Sequence, residues 1–294
     1  MTTTLRTWLD QAWDQHPDQP QAVADRLAEG IGLLADGTAP AEELARFGEH
    51  LLLGHLDQAQ PLRDFIAAMQ PVAGRDEAVT RVLQRAALGL VLAGHDAGSG
   101  PELPADEQLR AMGQAMLAHT RRADRSGARQ LLDRARSLAA QADEPKCWRA
   151  LAIITNNLAG DLRYYRVLAG GAADPQGDVL MLEAAALARR HWATTGGWVE
   201  VERADYQLAL CHAAACQGEA ALQHARNCLA GCEANQADAY ELFFAHEALA
   251  IAHSTLLREQ RSRMAAKLEM LDDAGARAYA QATLAKLDER ISKS

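Results

Sequence analysis

The sequence predicts an all-α protein, an α-α superhelix in which antiparallel helix hairpins stack on one another. Three observations carry that expectation. Alanine and leucine dominate a chain that is 49% hydrophobic and only 5% aromatic, and β-branched runs are nearly absent, which favours helices over strands. Helix start and stop signals follow one another with short breaks. A short motif also recurs at a nearly constant period, the mark of a repeat architecture.

Taken in order, a first helix is expected over about 3–16, separated by Pro17 and Pro20 from a second over 21–35. DGTAP at 36–40 is a break. Pro40 then opens PAEELARFGEHLLLGHL, where a first turn has no use for the missing amide. A short helix over 61–69 and a long one over 76–93 follow. HDAGSGPELP at 95–104 holds two glycines and two prolines and is the clearest break. It separates an N-terminal helical region, 1–100, from a repeat region with a capping helix, 101–294. Beyond it helices are expected over about 105–122, 126–142, 145–161, 178–195, 198–217, 219–234, 236–256, 258–272 and 274–291, with LAGGAADPQG at 168–177 as a second loop.

The repeat shows in MLAH ending at His119, NLAG at Gly160, ALCH at His212 and AIAH at His253. The steps are 41, 52 and 41 residues, and the long one contains the 168–177 loop. LLLGH and VLAGH, ending at His55 and His95, are 40 apart and hint at degenerate earlier repeats. A small residue, Ala118, Ala159, Cys211 or Ala252, precedes each recurring His or Gly and lets antiparallel helices approach closely. Such hairpins cannot bury their apolar faces alone and must stack.

Over about 105–272 the chain resembles the tetratricopeptide-repeat superfamily in its longer variant of about forty residues, a right-handed solenoid. Leu210, Gly218, Ala221, Ala225 and Leu229 in LALCHAAACQGEAALQHARNCLA follow that family's leucine, turn-glycine and spaced-alanine pattern. TNNLA at 155–159 is similar to the asparagine-containing helix of kinesin-light-chain-type repeats. The turn near Gly218 is shorter than usual, and 162–177 intervenes after NNLAG. The resemblance implies that the first helix of each hairpin lines a concave groove that takes a peptide or protein segment.

Helical geometry places the polar groups. At about 100° per residue, Arg149, Asn156, Gly160 and Arg163 share a sector about 60° wide, clear of the stripe Leu151, Ile154, Leu158 and Leu162. Asn156 is expected to face the groove, and Asn157, between Ala150 and Ile153, to be partly buried and tie adjoining helices. One repeat earlier the sector carries His119 and Arg122; later ones carry His212 and His253 among mainly apolar residues. His119, Arg122, Arg149, Asn156 and Arg163 would then form an electropositive section suited to a carboxylate. The same side chains serve equally well as helix-to-helix bonds or solvated groups. RRADRSGAR at 121–129 sits at a hairpin turn and is read as a solvated face.

A net charge of −9 and a pI of about 5.6 argue against nucleic acid. The start lacks a basic segment followed by an apolar one, and AALGLVLAG at 86–94 is too short to span a bilayer. A soluble, cytoplasmic protein without membrane or nucleic-acid partners is expected. Cys211, Cys216, Cys228 and Cys232 lack C-x-x-C spacing and read as small packing residues. Stacked repeats hold His119, His212 and His253 too far apart for one ion, so neither metal nor cofactor is expected. No phosphate loop, nucleophile elbow or H-E-x-x-H occurs. The reading is a noncovalent scaffold for a protein or peptide segment, possibly acidic. An enzyme assembled from distant residues and a self-associating structural protein, whose last helix fills its own groove, stand as alternatives.

Overall fold

Short polar side chains set where the helices begin. Thr4, Asp76, Asp124, Asp174 and Asp238 each stand one residue before a helix and accept bonds from its first free amides. In a computed structural model the described residues are 4–34, 40–168, 170 and 174–293, the side chains of 290–293 excepted. All regular structure among them is helical. The helices are α1 (Leu5–Gln15), α2 (Pro20–Ala24), α3 (Leu27–Gly32), α4 (Ala41–Glu49), α5 (Ala59–Ala73), α6 (Glu77–Leu92), α7 (Ala105–Arg121), α8 (Arg125–Ala142), α9 (Pro145–Leu168), α10 (Pro175–Thr195), α11 (Trp198–Ala214), α12 (Gly218–Ala234), α13 (Ala239–Leu268) and α14 (Ala274–Lys293). A π-helix, His50–His55, continues α4.

Most helices pack on their neighbours in the chain or on the next helix but one, as α4 does on α6 and α7 on α9. The chain divides after Gly197 into two compact units, α1–α10 and α11–α14. The 95–104 segment is instead a loop inside the first unit, where Leu103 is buried against Leu88 and Ala111. Part of DGTAP, at 36–39, and part of the 168–177 loop, at 169 and 171–173, lie outside the described residues.

Several expected boundaries move for local reasons. The helix expected over 21–35 is two short ones, α2 and α3. α5 runs past Pro71, which the last turn accommodates. α9 continues to Leu168 rather than ending at 161. α13 is unbroken where two helices were expected, because LLREQRSRM consists largely of good helix formers and holds no glycine or proline. At the α11–α12 turn the left-handed residue is Cys216, at φ 55°. Gly218 matters for approach: a Cβ there would lie 2.7 Å from the Leu256 backbone of α13.

The centre of the first unit is ionic. Arg85 of α6 is 6% exposed and Glu49, the last residue of α4, 1%. Arg85 Nε donates to both Glu49 oxygens at 3.0 and 2.9 Å, and its Nη1 donates to Glu107 of α7 at 2.9 Å. Burial opposes the Arg85 charge, but the two carboxylates more than offset it and raise its pKa. No helix among the described residues is long and apolar enough to cross a membrane.

Removing one partner of a buried pair leaves the other charge uncompensated, at a cost of about 3–5 kcal/mol. Arg85→Ala is expected to lose that much in urea unfolding of the first unit's transition. A loss under about 1 kcal/mol would mean that the α4–α6–α7 junction does not depend on the pair.

Candidate metal centre

Two of the recurring histidines, His119 and His212, share a local task. His119 Nδ1 meets Asp124 Oδ2 at 2.8 Å, and His212 Nδ1 meets Gln217 Oε1 at 2.8 Å. In both cases the partner lies five residues on and is the N-cap of the next helix. The backbone repeats too: Asp124 N donates to His119 O and Gln217 N to His212 O, each at 2.8 Å, across a left-handed Ala123 or Cys216. This is the closure that satisfies helix-end carbonyls. The recurrence at 119 and 212 thus marks two hairpins with the same turn.

The other expected binding groups are dispersed. Arg122 reaches the Ala93 carbonyl at 2.7 Å and Asp57 Oδ2 at 3.2 Å. Arg149 donates to the Thr195 carbonyl at 3.0 Å and stacks its guanidinium on Trp192. Arg163 lies fourteen residues along α9, about 21 Å at 1.5 Å per residue, and its Nε is buried without a partner among the described residues. His253 is exposed. Asn156 is half-buried, and Asn157 is exposed rather than partly buried. α9 packs through an arc containing Ala150, Leu151, Ile154, Leu158 and Leu162, and Asn157 falls outside it.

A different set converges. His16, His50 and His55 each offer a ring nitrogen, and these three atoms lie within 4.8 Å of one another. His16 caps α1, and the other two open and close the π-helix. On an α-helix residues five apart point about 140° away from each other. A π-helix closes its bonds on the fifth residue and widens the turn, so positions 50 and 55 share a face. Leu51, Leu52 and Leu53, all buried, occupy the rest of that turn. Leu56 N donates to Leu51 O at 3.0 Å in the same five-residue spacing.

Hydrogen bonds orient two of the rings. His16 Nδ1 lies 2.7 Å from the Trp13 carbonyl; a carbonyl only accepts, so Nδ1 carries the hydrogen and Nε2 keeps its lone pair. His50 Nδ1 faces Gln114 Oε1 of α7 at 3.4 Å, which frees its Nε2 in the same sense. Gly54 makes room for that glutamine, since a Cβ would stand 2.5 Å from Gln114 Oε1. Trp13 stacks on His50 and meets Phe47 edge-on, and Phe47 meets His16 edge-on.

These imidazoles are held neutral. Burial, then the His16 charge, lowers His50 to about 4. Burial, then His50, His16 and Arg121, lowers His55 to about 3, and burial also lowers His16. Neutral imidazole is the ligand form. None of the three was singled out as a ligand in the sequence. Their only signal was the pair of histidines flanking LLLG, which helical spacing alone sets on different faces. Comparison with protein-family models, curated proteins and solved structures finds no match.

A histidine with a depressed folded pKa takes up protons preferentially in the unfolded chain. Its contribution is complete above about pH 6.5 and is lost as pH falls toward the folded value. Asp161, raised to about 6 chiefly by burial, acts in the opposite sense, so a paired comparison isolates the histidines. Between pH 7 and 5 the metal-free wild type is expected to lose more stability than His50→Gln/His55→Gln, by up to about 1.4 kcal/mol per histidine per pH unit. Equal losses in denaturant titrations would mean that the two rings are not shielded.

Proposed function

We propose that the protein binds a divalent transition ion of the zinc class through His16, His50 and His55, in place of the metal-free reading of its sequence. The observation that carries this is the approach of three ligand nitrogens to within 4.8 Å. An ion with bonds of about 2.0–2.1 Å holds tetrahedral ligands roughly 3.4 Å apart, a closure that side-chain rotation can supply. Three imidazoles suit zinc, copper, nickel or iron rather than calcium or magnesium. The Trp13 carbonyl and Gln114 amide supply the outer hydrogen bonds that orient metal-binding histidines.

Three protein ligands leave a position for water or a small ligand, the arrangement of sites that act on something rather than only hold structure. This supports the enzyme alternative over a purely structural one. Equilibrium dialysis of the chelator-treated chain against Zn²⁺ is the test. His16→Ala, His50→Ala and His55→Ala are each expected to weaken this site by at least about 100-fold and Gln114→Ala by about 10–100-fold. Unchanged zinc content in all three histidine variants, with helicity intact, would refute the site.

A second reading keeps the tetratricopeptide-like scaffold and its partner groove. What favours it is the two matching hairpin turns and the uncommitted side of α9. Asn156 and Asn157 make no side-chain hydrogen bond among the described residues, and the Arg163 Nε lacks a partner. A segment bearing a carboxylate would satisfy them. In a pull-down, Asn156→Ala/Arg163→Ala is expected to lose a partner that wild type retains; equal recovery would move the surface elsewhere.

A further inference from the structure

We propose that Glu202, Cys228 and Cys232 form a buried thiolate and carboxylate site for a soft divalent ion of the zinc class, which pins α11 to α12. Their ligand atoms lie within 4.8 Å of one another. Cys228 and Cys232 are four residues apart on α12, so one helix face presents both sulfurs. Glu202 comes from the facing side of α11, and the three residues are 2%, 0% and 0% exposed.

The carboxylate is the informative group. Cys228 Sγ donates to Glu202 Oε1 at 2.8 Å and the Cys232 thiol also engages the carboxylate, whereas Oε2 is shut from solvent with no well-aligned hydrogen bond among the described residues. Buried polar atoms are nearly always satisfied, and an orphan calls for a cause. Two small cysteines that merely filled space between Ala245, Leu229 and Leu242 would need no carboxylate beside them. An ion would take both sulfurs at about 2.3 Å and a Glu202 oxygen at about 2.0–2.2 Å, three protein ligands that leave a fourth position for a water or the second carboxylate oxygen.

Without an ion, burial and then the Glu202 carboxylate hold both thiols protonated, Cys232 being pushed up to about 11. Binding therefore breaks two S–H bonds and forms two sulfur–metal bonds. Two protons pass to solvent, and neither sulfur nor metal changes oxidation state. The other three cysteines are placed differently: Cys147 belongs to the first unit, Cys211 is buried nine residues beyond Glu202 on α11, about 13.5 Å along its axis, and Cys216 is exposed at the hairpin turn.

The test uses the full chain, reduced and freed of metal by chelation, with Co²⁺ alone as probe. Thiolate-to-cobalt charge transfer in the near ultraviolet reports this site and is silent for an all-histidine one. The band is expected to saturate at one ion per chain with two protons released. Cys228→Ala and Cys232→Ala should each abolish it, Glu202→Gln should weaken binding at least about 10-fold, and Cys216→Ser should leave it unchanged. His50→Ala should keep the band, so failure of the histidine site reads separately. No band from folded wild type, or a band that survives in Cys228→Ala/Cys232→Ala, overturns the proposal. If the alanine variants lose helicity, the wild-type band and proton count decide.

Discussion

The pairing of buried Arg85 with Glu49 and Glu107 is the interaction on which the first unit turns. Three helices contribute one group each, and water is excluded from the centre. Such a triad is not bought for stability alone, since apolar replacements of similar shape often hold a core as well. Its consequence here is positional. Glu49 is the residue immediately before His50, so the guanidinium that grips it holds the junction between α4 and the π-helix. The wide turn then carries His50 and His55 to one side, opposite Gln114 of α7, the helix that also supplies Glu107.

Helix ends elsewhere are closed by a different economy of groups. His119 and His212 each bond the cap of the following helix while the backbone closes beneath them. Arg122 and His95 do related work at the end of α6, where they converge on Asp57. Orphan carbonyls and amides of successive helices are thereby satisfied within a few residues of each turn. An alanine-rich chain with few aromatic side chains has little else to define its turns.

Composition and periodicity made the helical class and most elements legible, because alanine–leucine stripes and proline or glycine breaks are local signals. The unbroken α13 and the split of 21–35 were less so, since tertiary packing decides whether a weak break is used. The recurring histidines were visible as a pattern but not as turn bonds, for the partner five residues on differs between them, Asp124 in one and Gln217 in the other. The metal candidates were hidden for a physical reason. His16 is remote in sequence, and a histidine pair five apart faces one way only after the helix has widened, a change no residue type announces. Glu202 was equally silent, because its meaning rests on a buried carboxylate that the fold of α11 on α12 brings against two thiols.

The wide turn of the π-helix brings His50 and His55 to His16, and the task proposed for the three rings is to hold an ion. Anomalous diffraction from crystals of the zinc-loaded chain, recorded on both sides of the zinc absorption edge, tests it most directly. A zinc peak is expected between the three imidazoles, about 2.0–2.1 Å from one nitrogen of each. A well-ordered map with all three rings in place and no anomalous density between them would contradict it.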